Sequence, residues 1–252
     1  MIATVRSTAK TILGPRLTAY VRSLRIRNLP SAKKYREHLR GRAALEIGGP
    51  SEIFALGPLP IYGVFGSIDN CNYASQTLWK PDGFGPRYGQ TFICEASSLK
   101  DVSDGRYNCV LSSHSLEHIA NPLKALYEWR RILTEDGLLL LILPNKDHTF
   151  DWRRPVTTLE HLISDYENQT AEDDLTHVDE ILKLHDLSRD LPAGTPEQFR
   201  ARSLNNSTVR ALHHHVFTFS SALELLNYAG FSSILSEVAS PIHLIILARR
   251  TS

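Results

Sequence analysis

The feature that most constrains the fold is a series of short apolar runs separated by helical or polar stretches. The longest run, Leu138–Leu143, contains five leucines and one isoleucine and is stopped by Pro144. Strands that are apolar on both faces are typical of a parallel sheet covered by helices. The sequence therefore predicts an α/β fold with a mostly parallel sheet. The other predicted strands are Ala43–Ile47, Tyr62–Ile68, Thr91–Cys94, Tyr107–Leu111 and a terminal hairpin of Ile234–Val238 and Leu244–Ala248.

One connection between these runs has the pattern of a crossover helix. Asn121 is a favourable N-cap, Pro122 suits the first helical position, and apolar residues follow at helical spacing as far as Leu133. A later segment, 145–215, breaks the alternation because it is long, polar and rich in His, Asp and Arg. We expect it to form a helical, acceptor-binding insertion after strand five, beside the strand ends where open α/β sheets bind ligands.

Positive charge is concentrated at the start of the chain. Residues 1–42 contain eleven Lys or Arg residues and one acidic residue, whereas the whole chain has a formal charge of +1. We therefore predict a basic helical arm over 1–42 and a single, acidic domain over 43–252. The arm could bind anionic lipid, nucleic acid or the acidic surface of a second subunit, and the last of these would give a homodimer.

Composition favours a cytoplasmic protein. No stretch approaches the roughly 18 consecutive apolar residues of a transmembrane helix, and Arg6, Lys10 and Arg16 interrupt any secretory signal. The three cysteines are far apart, which is typical of free thiols in a reducing compartment. Their spacing does not predict a zinc site.

The first predicted strand ends in a glycine turn, ALEIGGPS at 44–51. A dinucleotide-binding turn needs three glycines so that a pyrophosphate can approach the backbone, but Pro50 and Ser51 occupy the later positions. Glu46 precedes the glycines, and its carboxylate would repel a pyrophosphate and attract a cation. S-adenosylmethionine carries an ammonium and a sulfonium and has no phosphate. The turn therefore favours this cofactor over NAD.

Two more acidic residues are predicted at successive strand ends. Asp69 would accept hydrogen bonds from both ribose hydroxyls of the cofactor. Glu95 would accept one from the adenine amino group, while the N–H of Ala96 would meet a ring nitrogen. Three acidic strand ends in register are harder to obtain by chance than one, and a non-catalytic scaffold would be expected to have lost them.

The chain resembles the class I S-adenosylmethionine-dependent methyltransferases over about residues 43–145 and 217–249. The resemblance rests on LEIGGPS, SIDN, ICEASSL, the long segment VLSSHSLEHIANPLKALYEWRRILTEDGLLLLILP and the terminal helix and hairpin. It implies a seven-stranded, mostly parallel, Rossmann-like sheet with helices on both faces and an antiparallel terminal hairpin strand. The cofactor contacts that it implies are Glu46, Gly48, Gly49, Asp69, Glu95 and Ala96, with Ser112 nearby.

A narrower resemblance is to methyltransferases of glycan and polysaccharide biosynthesis, through SSHSLEH, LPNKDHTFDWRRPVTTLEHL and HHHVFT. Within that subset, the chain looks most like the mannoside 1-O-methyltransferases of methylmannose polysaccharide synthesis. This implies methyl transfer to a sugar hydroxyl of an oligosaccharide or polysaccharide precursor. The alternatives are a nucleic-acid-binding methyltransferase guided by the basic arm and a small-molecule O-methyltransferase with a non-sugar acceptor. Two features argue against DNA or RNA as a partner. The domain over 43–252 is acidic, and aromatic residues do not interleave with the basic ones as base-stacking platforms would.

A sugar hydroxyl is weakly acidic, so its methylation calls for a general base or a metal ion. His114, just past the fourth strand, is the predicted base, and the alternative is that it only orders its loop. His118, one helical turn further, is predicted to be structural. His215 is the alternative base, and Asp147 is the third catalytic candidate.

The predicted acceptor and metal ligands lie in the insertion. In the run His213–His215, only the first and last side chains could converge, because neighbours in an extended chain point to opposite faces. Without a third ligand this pair does not predict zinc. Carboxylates such as Asp147 and Asp151 could hold Mg²⁺, and the sequence leaves open whether a metal is required. The residues predicted to bind the acceptor are His148, Asp151, Arg153, Arg154 and His213.

Overall fold

The computed structural model describes residues 28–78, 89–239 and 241–251, and a single sheet forms its centre. The strands are β1 (Ala43–Ile47), β2 (Ser67–Asn72), β3 (Thr91–Ile93), β4 (Tyr107–Ser113), β5 (Leu133–Pro144), β6 (Phe231–Ala239) and β7 (His243–Arg250). Their order is β3-β2-β1-β4-β5-β7-β6. The pairs among β1–β5 are parallel, whereas β7 runs antiparallel to both β5 and β6. The predicted seven-stranded, mostly parallel sheet with an antiparallel terminal hairpin is confirmed.

Helices cover both faces of the sheet. Those in the described residues are α1 (Ala32–Leu39), α2 (Glu52–Ala55), α3 (Pro122–Ile132), α4 (Leu159–Glu167), α5 (Val178–Leu184), α6 (Pro196–Leu204), α7 (Asn206–Val209) and α8 (Phe219–Tyr228). Successive residues of a strand point to opposite faces. Leu139 and Leu141 of β5 accordingly pack with α3 and α8, while Leu138 and Leu140 pack with α1 and α2. The two apolar clusters explain why β5 is apolar at every one of these positions.

The second strand begins later than the sequence predicts. Tyr62–Val64 forms a short 3₁₀ turn, and β2 starts at Ser67 and ends at Asn72. The apolar run at 61–65 packs beside the second cluster instead of joining the sheet. The strand itself has the largely polar sequence SIDNCN. Asp69 is therefore in the middle of β2, and the prediction that it ends this strand is wrong.

Helix α1 lies within the predicted basic arm and packs on the sheet. Ala32, Tyr35 and Leu39 are buried in the same cluster as Leu138 and Leu140 of β5. Residues 28–42 therefore pack on the domain rather than forming a separate arm. The rest of the arm, residues 1–27, lies outside the described residues. Over the part of the chain that the structure describes, none of the helices combines the length and apolarity needed to cross a membrane.

The insertion at 145–215 is helical, as predicted, and contains α4–α7. It has a small apolar core of its own, formed by Val178, Ile181, Ala193, Phe199 and Leu212. Helix α4 also packs against α3 of the main domain. The insertion is thus a folded unit that rests on the carboxyl ends of the strands.

Candidate active site

A cleft with about 660 Å³ of free space, part of it open to solvent, lies where the parallel strands end. Open α/β sheets bind their ligands at this position. The cleft receives residues from the ends of β1–β4 and from the insertion. Its lining residues are Ile47, Gly48, Cys71, Asn72, Tyr73, Thr77, Cys94, Glu95, Ala96, His114, Ser115, His118, Ile119, Glu172 and Arg210.

Gly48 brings bare backbone to the wall of the cleft. Its φ of +75° is in the left-handed region, and a Cβ on it would lie 2.3 Å from Oγ of Ser115. That hydroxyl donates to the carbonyls of Ile47 and Ser113 at 3.3 Å, so it is held in place between β1 and β4. The turn therefore needs glycine both for its conformation and for its lack of a side chain.

The buried side chain of Glu46 packs against the glycine turn and holds it in place. Its carboxylate is fully buried and accepts hydrogen bonds from the Tyr62 hydroxyl (2.9 and 3.0 Å) and from the N–H of Ser51 (3.1 Å). A Cβ on Gly49 would lie 2.2 Å from the carboxyl carbon of Glu46. Neither Glu46 nor Gly49 is among the described residues that line the cleft. Their geometry supports a role in holding the turn and gives no support to the predicted direct contact with the cofactor.

Asp69 and Ser112, two more predicted cofactor contacts, are also absent from the described lining of the cleft. The Asp69 carboxylate accepts from the Tyr107 hydroxyl at 2.6 Å and from the N–H of Gln90 at 2.7 Å. Its position in the middle of β2 gives no support to the predicted contact with the ribose. Ser112 is fully buried inside β4, one residue before the strand ends.

Asn72 and Tyr73 occupy the position that the sequence assigned to Asp69. Asn72 is the last residue of β2, Tyr73 follows it, and both line the cleft. The Asn72 amide donates to the carbonyl of Gly49 at 3.1 Å and to Oδ1 of Asn70 at 3.0 Å, which holds the end of β2 against the glycine turn. A correct placement of β2 would have identified both residues.

Glu95 and Ala96 line the cleft as predicted, just after β3. Sequence reasoning missed their partner, Arg210, which donates to Oε1 of Glu95 and to Oε2 of Glu172, each at 2.6 Å. Burial raises the pKa of Glu172 to about 7, although Arg210 acts in the opposite direction. Arg210 thereby ties the insertion to the end of β3 across the cleft.

His114 stands at the end of β4 in a left-handed conformation, with φ of 51°. Its N–H donates to the carbonyl of Ile142 at 2.9 Å, which holds this strained backbone against β5. Nε2 lies 2.9 Å from Nδ1 of His243, and Nδ1 lies 3.6 Å from Oε1 of Glu117. The ring is about one-third exposed and lines the cleft. The structure therefore places His114 where a general base could reach a ligand.

Glu117, His118 and His213 converge beside His114. One ligand atom from each lies within 4.8 Å of the other two. Glu117 is fully buried, and neither of its carboxylate oxygens accepts a well-formed hydrogen bond from the described residues. Burial raises the pKa of Glu117, but His114 and His118 outweigh burial, so this pKa lies below its usual value. Glu117 is therefore an ionised carboxylate buried among histidine rings.

The ring nitrogens of His118 and His213 that face away from Glu117 have hydrogen-bond partners. Nδ1 of His118 lies 2.9 Å from the carbonyl of Leu212, and Nδ1 of His213 lies 2.5 Å from Oδ2 of Asp151. Burial, then the neighbouring His213, lowers the pKa of His118 to about 4. Burial lowers the pKa of His213, but Asp151 outweighs this and raises it overall. Histidines that hold metal ions characteristically donate their other ring N–H to such acceptors.

Asp151 and Arg154, both predicted to bind the acceptor, are buried within the insertion. Arg154 donates to Asp151 (3.2 Å), to Glu180 (2.8 Å) and to the carbonyls of His213 (2.7 Å) and His214 (3.1 Å). All of its contacts are internal. The two residues hold the histidine run in place, and their burial gives no support to the predicted contact with the acceptor.

The remaining candidates are distributed over other parts of the molecule. Asp147 and His148 are exposed and outside the described lining of the cleft. Arg153 is exposed, with its guanidinium over the ring of Trp152 and 3.6 Å from Asp186. His215 is buried in the insertion and does not line the cleft with His114. These positions give no support to the predictions of Asp147 as a catalytic or Mg²⁺-binding residue and of His215 as a base.

The comparison with protein families agrees with this geometry. A family model described as a methyltransferase domain matches residues 20–233, so the chain belongs to the methyltransferase domain family. No curated protein matches the sequence. The predicted class, an S-adenosylmethionine-dependent methyltransferase, is confirmed.

Solved methyltransferases share the fold. The structure is similar to the 1,6-didemethyltoxoflavin-N1-methyltransferase of Burkholderia thailandensis, which was solved with its substrate and S-adenosylhomocysteine (TM-score 0.52, 15% identity, 91% of this chain and 79% of that one). It is also similar to S-adenosylmethionine-dependent methyltransferases of Aquifex aeolicus (0.46, 12%, 88% and 94%) and Methanosarcina mazei (0.47, 14%, 90% and 99%). At these identities the likeness extends to the fold alone.

Proposed function

We propose that the chain is an O-methyltransferase that moves the methyl group of S-adenosylmethionine to a sugar hydroxyl of an oligosaccharide or polysaccharide precursor. The observation that carries O-methylation is the group of His114, Glu117, His118 and His213 at the cleft, because a weakly acidic acceptor needs help to lose its proton. The sugar as acceptor rests on the resemblance of the sequence to glycan methyltransferases.

The cleft has the features that S-adenosylmethionine needs. Its backbone approaches closely at Gly48, its walls are partly apolar, and Asn72 and Glu95 bring polar groups from neighbouring strand ends. We propose that these residues, with Ala96, hold the cofactor. When bound, the cofactor supplies an activated methyl group for an in-line displacement. The protein contributes the alignment of donor and acceptor, which accounts for a large share of the rate in such reactions.

The proton of the acceptor would leave through His114. The ring reaches the cleft, and Glu117 beside Nδ1 would fix its orientation, while Nε2 would exchange its contact with His243 for the acceptor hydroxyl and take the proton. Glu117 would stabilise the positive charge that develops on the ring as it takes the proton. Because His118 is held neutral by burial, it is suited to a role as a ligand or hydrogen-bonding residue and not as the charged acid.

The same group of side chains could hold a divalent cation at Glu117, His118 and His213. Two imidazoles and one carboxylate suit a first-row transition ion such as Mn²⁺ better than Mg²⁺, which prefers oxygen ligands. Binding would require His213 to lose its Nε2 proton, so the affinity would fall at low pH. A cation there would lower the pKa of an acceptor hydroxyl and assist His114.

Labelled-methyl transfer tests the proposal. The purified chain is treated with EDTA and assayed on short mannosides, glucosides, simple phenols and nucleic acid, each without metal, with Mn²⁺ and with Mg²⁺. We expect transfer to a saccharide and stimulation by Mn²⁺. Transfer to phenols alone would favour the small-molecule alternative, and transfer to nucleic acid alone would favour the alternative guided by the basic arm. Tighter binding of NADH than of S-adenosylhomocysteine in calorimetry would contradict the cofactor assignment.

A further inference from the structure

A second group of histidines lies inside the insertion, away from the described lining of the cleft. His161 and Asp165 are one turn apart on α4, His177 precedes α5, and His215 follows α7 in the chain. One ring nitrogen of each histidine lies within 4.8 Å of those of the other two. Four side chains from three separate segments therefore meet at one point.

The separations match those between ligands of one metal ion. Nε2 of His161 lies 3.1 Å from Nε2 of His177 and 3.3 Å from Oδ2 of Asp165, and one ring nitrogen of His215 lies within 4.8 Å of the ligand nitrogens of the other two rings. Zinc binds imidazole nitrogen at about 2.0–2.1 Å in a tetrahedral site, so two of its ligands are about 3.3 Å apart. Three imidazoles and a carboxylate are a common ligand set for this ion.

Two buried polar atoms of this cluster lack hydrogen-bond partners in the described parts of the chain. Oδ2 of Asp165 and Nδ1 of His215 are buried, and neither has a hydrogen-bond partner within the described parts of the chain. Nε2 of His215 lies 3.1 Å from the carbonyl of Ala120, a contact that suits an N–H donor next to a metal-binding ring. Buried polar atoms without partners lower the stability of a fold, so the cluster without a metal ion would weaken the insertion.

The charge state of the rings also suits a metal. Burial, then the neighbouring His161, lowers the pKa of His177, and burial, then His214, lowers the pKa of His215 well below its usual value. The rings of His177 and His215 are therefore neutral and offer lone pairs. Burial raises the pKa of Asp165, a cost that a nearby cation would offset.

We propose that His161, Asp165, His177 and His215 form a tetrahedral zinc site that holds the insertion together. Four protein ligands leave no open position, which is typical of a structural site and not of a catalytic one. The ion would join α4 to the start of α5 and to the segment that returns to the main domain. It is separate from the cation proposed at Glu117, and it does not rest on the proposed function.

Zinc content tests the proposal without any activity assay. The full chain is produced with zinc, dialysed, and measured by plasma mass spectrometry alongside His177→Asn, His118→Asn and His38→Asn. His38 is an exposed histidine on α1 and serves as the matched control. We expect His177→Asn to hold one equivalent of zinc less than wild type and His38→Asn, while His118→Asn measures separately any zinc bound beside Glu117. Equal zinc in His177→Asn and wild type would overturn the proposal.

Cobalt and hydrogen exchange provide a second measurement on the wild-type chain, in case His177→Asn does not fold. Cobalt bound at a tetrahedral site with three nitrogens and one oxygen should absorb strongly in the visible range, and Asp165→Asn should change the spectrum. Addition of zinc to the metal-free chain should slow amide exchange across α4 and α5 but not across α3. A metal-free chain whose exchange is the same with and without zinc would also overturn the proposal.

Discussion

The backbone at His114 shows how one residue links the strain of the fold to its chemistry. A left-handed conformation is costly for a residue with a side chain, and the hydrogen bond to Ile142 holds it at the end of β4. Strain of this kind is often found at functional sites. The alternative noted from sequence, that His114 only orders its loop, would also account for the backbone, so substitution must separate the two.

His114→Asn should lower kcat by roughly 10²–10⁴-fold, the usual range for loss of a general base. Asparagine tolerates the left-handed region, so the loop should keep its conformation while the base is removed. Affinity for S-adenosylhomocysteine, measured by calorimetry, should stay within about threefold. His38→Asn on the exposed face of α1 is the control. A kcat close to wild type would leave His114 with the loop-ordering role alone.

Gly48→Ala should weaken cofactor binding, because the new methyl group would collide with Oγ of Ser115 in the wall of the cleft. Gly105 is a matched control, since its φ of +62° is similar but a Cβ there has no atom within 4 Å. Both substitutions should cost roughly 1–2 kcal/mol of backbone strain. Only Gly48→Ala should lose about tenfold or more in affinity for S-adenosylhomocysteine. Equal loss in both variants would show that strain, and not the collision, is responsible.

At the scale of elements, local sequence patterns predicted the strands and missed the contacts between distant segments. β1, β4 and β5 are buried on both faces, so their apolar runs identified them. β2 is mostly polar because its end forms the cleft, and a neighbouring apolar turn drew the prediction away from it. The same shift produced the wrong placement of Asp69 at the strand end and concealed Asn72.

The active-site group was only half visible for a related reason. His114, Glu117 and His118 are close together in sequence, but Arg210 of the cleft wall and His213, which meets Glu117 and His118, come from the far end of the insertion. No periodicity within a helix or strand relates residues so far apart. Likewise, Asp151 and Arg154 have the composition of ligand-binding residues, and only their burial shows that they support His213 and His214 instead.

The adjacent residues Arg153 and Arg154 should respond very differently to substitution. Arg154 is 2% exposed and pairs with Asp151 and Glu180, so Arg154→Met would leave buried Asp151 without its arginine partner. Loss of one member of a buried pair typically costs about 3–5 kcal/mol. Arg153→Met removes an exposed side chain and should cost less than about 1 kcal/mol. Urea unfolding would measure both, and equal stability of the two variants would contradict the structure.

At the scale of the whole molecule, the buried histidines make stability depend on pH. Burial lowers the pKa of His214 to about 3, and the neighbouring His177 adds to this effect. Burial also lowers the pKa of His243 to about 4, with a smaller contribution from His114. Both rings are neutral in the folded chain and bind a proton in the unfolded chain once the pH falls below about 6.5. As the pH is lowered through this range, the unfolded state binds more protons than the folded state, so the stability of the folded state must decrease.

The free energy of unfolding should therefore decrease between pH 7 and pH 4.5. A fully buried histidine such as His214 contributes up to about 1.4 kcal/mol per pH unit in this window. Urea unfolding at several pH values, with EDTA present to remove metal effects, measures the slope. His214→Asn should lower stability at pH 7 but flatten the slope by roughly that amount. A variant with the wild-type slope would show that His214 does not titrate as its burial requires.

The position of His213 has a consequence for how this protein could be recombined with its relatives. The insertion contains its own apolar core, so it looks like a cassette that could be exchanged to change acceptor preference. Yet Arg210 near its end lines the cleft, and His213 meets Glu117 and His118 of the main domain. On the proposed function, a chimaera that imports a foreign segment 145–215 would import part of the proposed catalytic group with it. Acceptor choice and turnover would then change together, and a graft meant to change only the acceptor would have to end before Arg210.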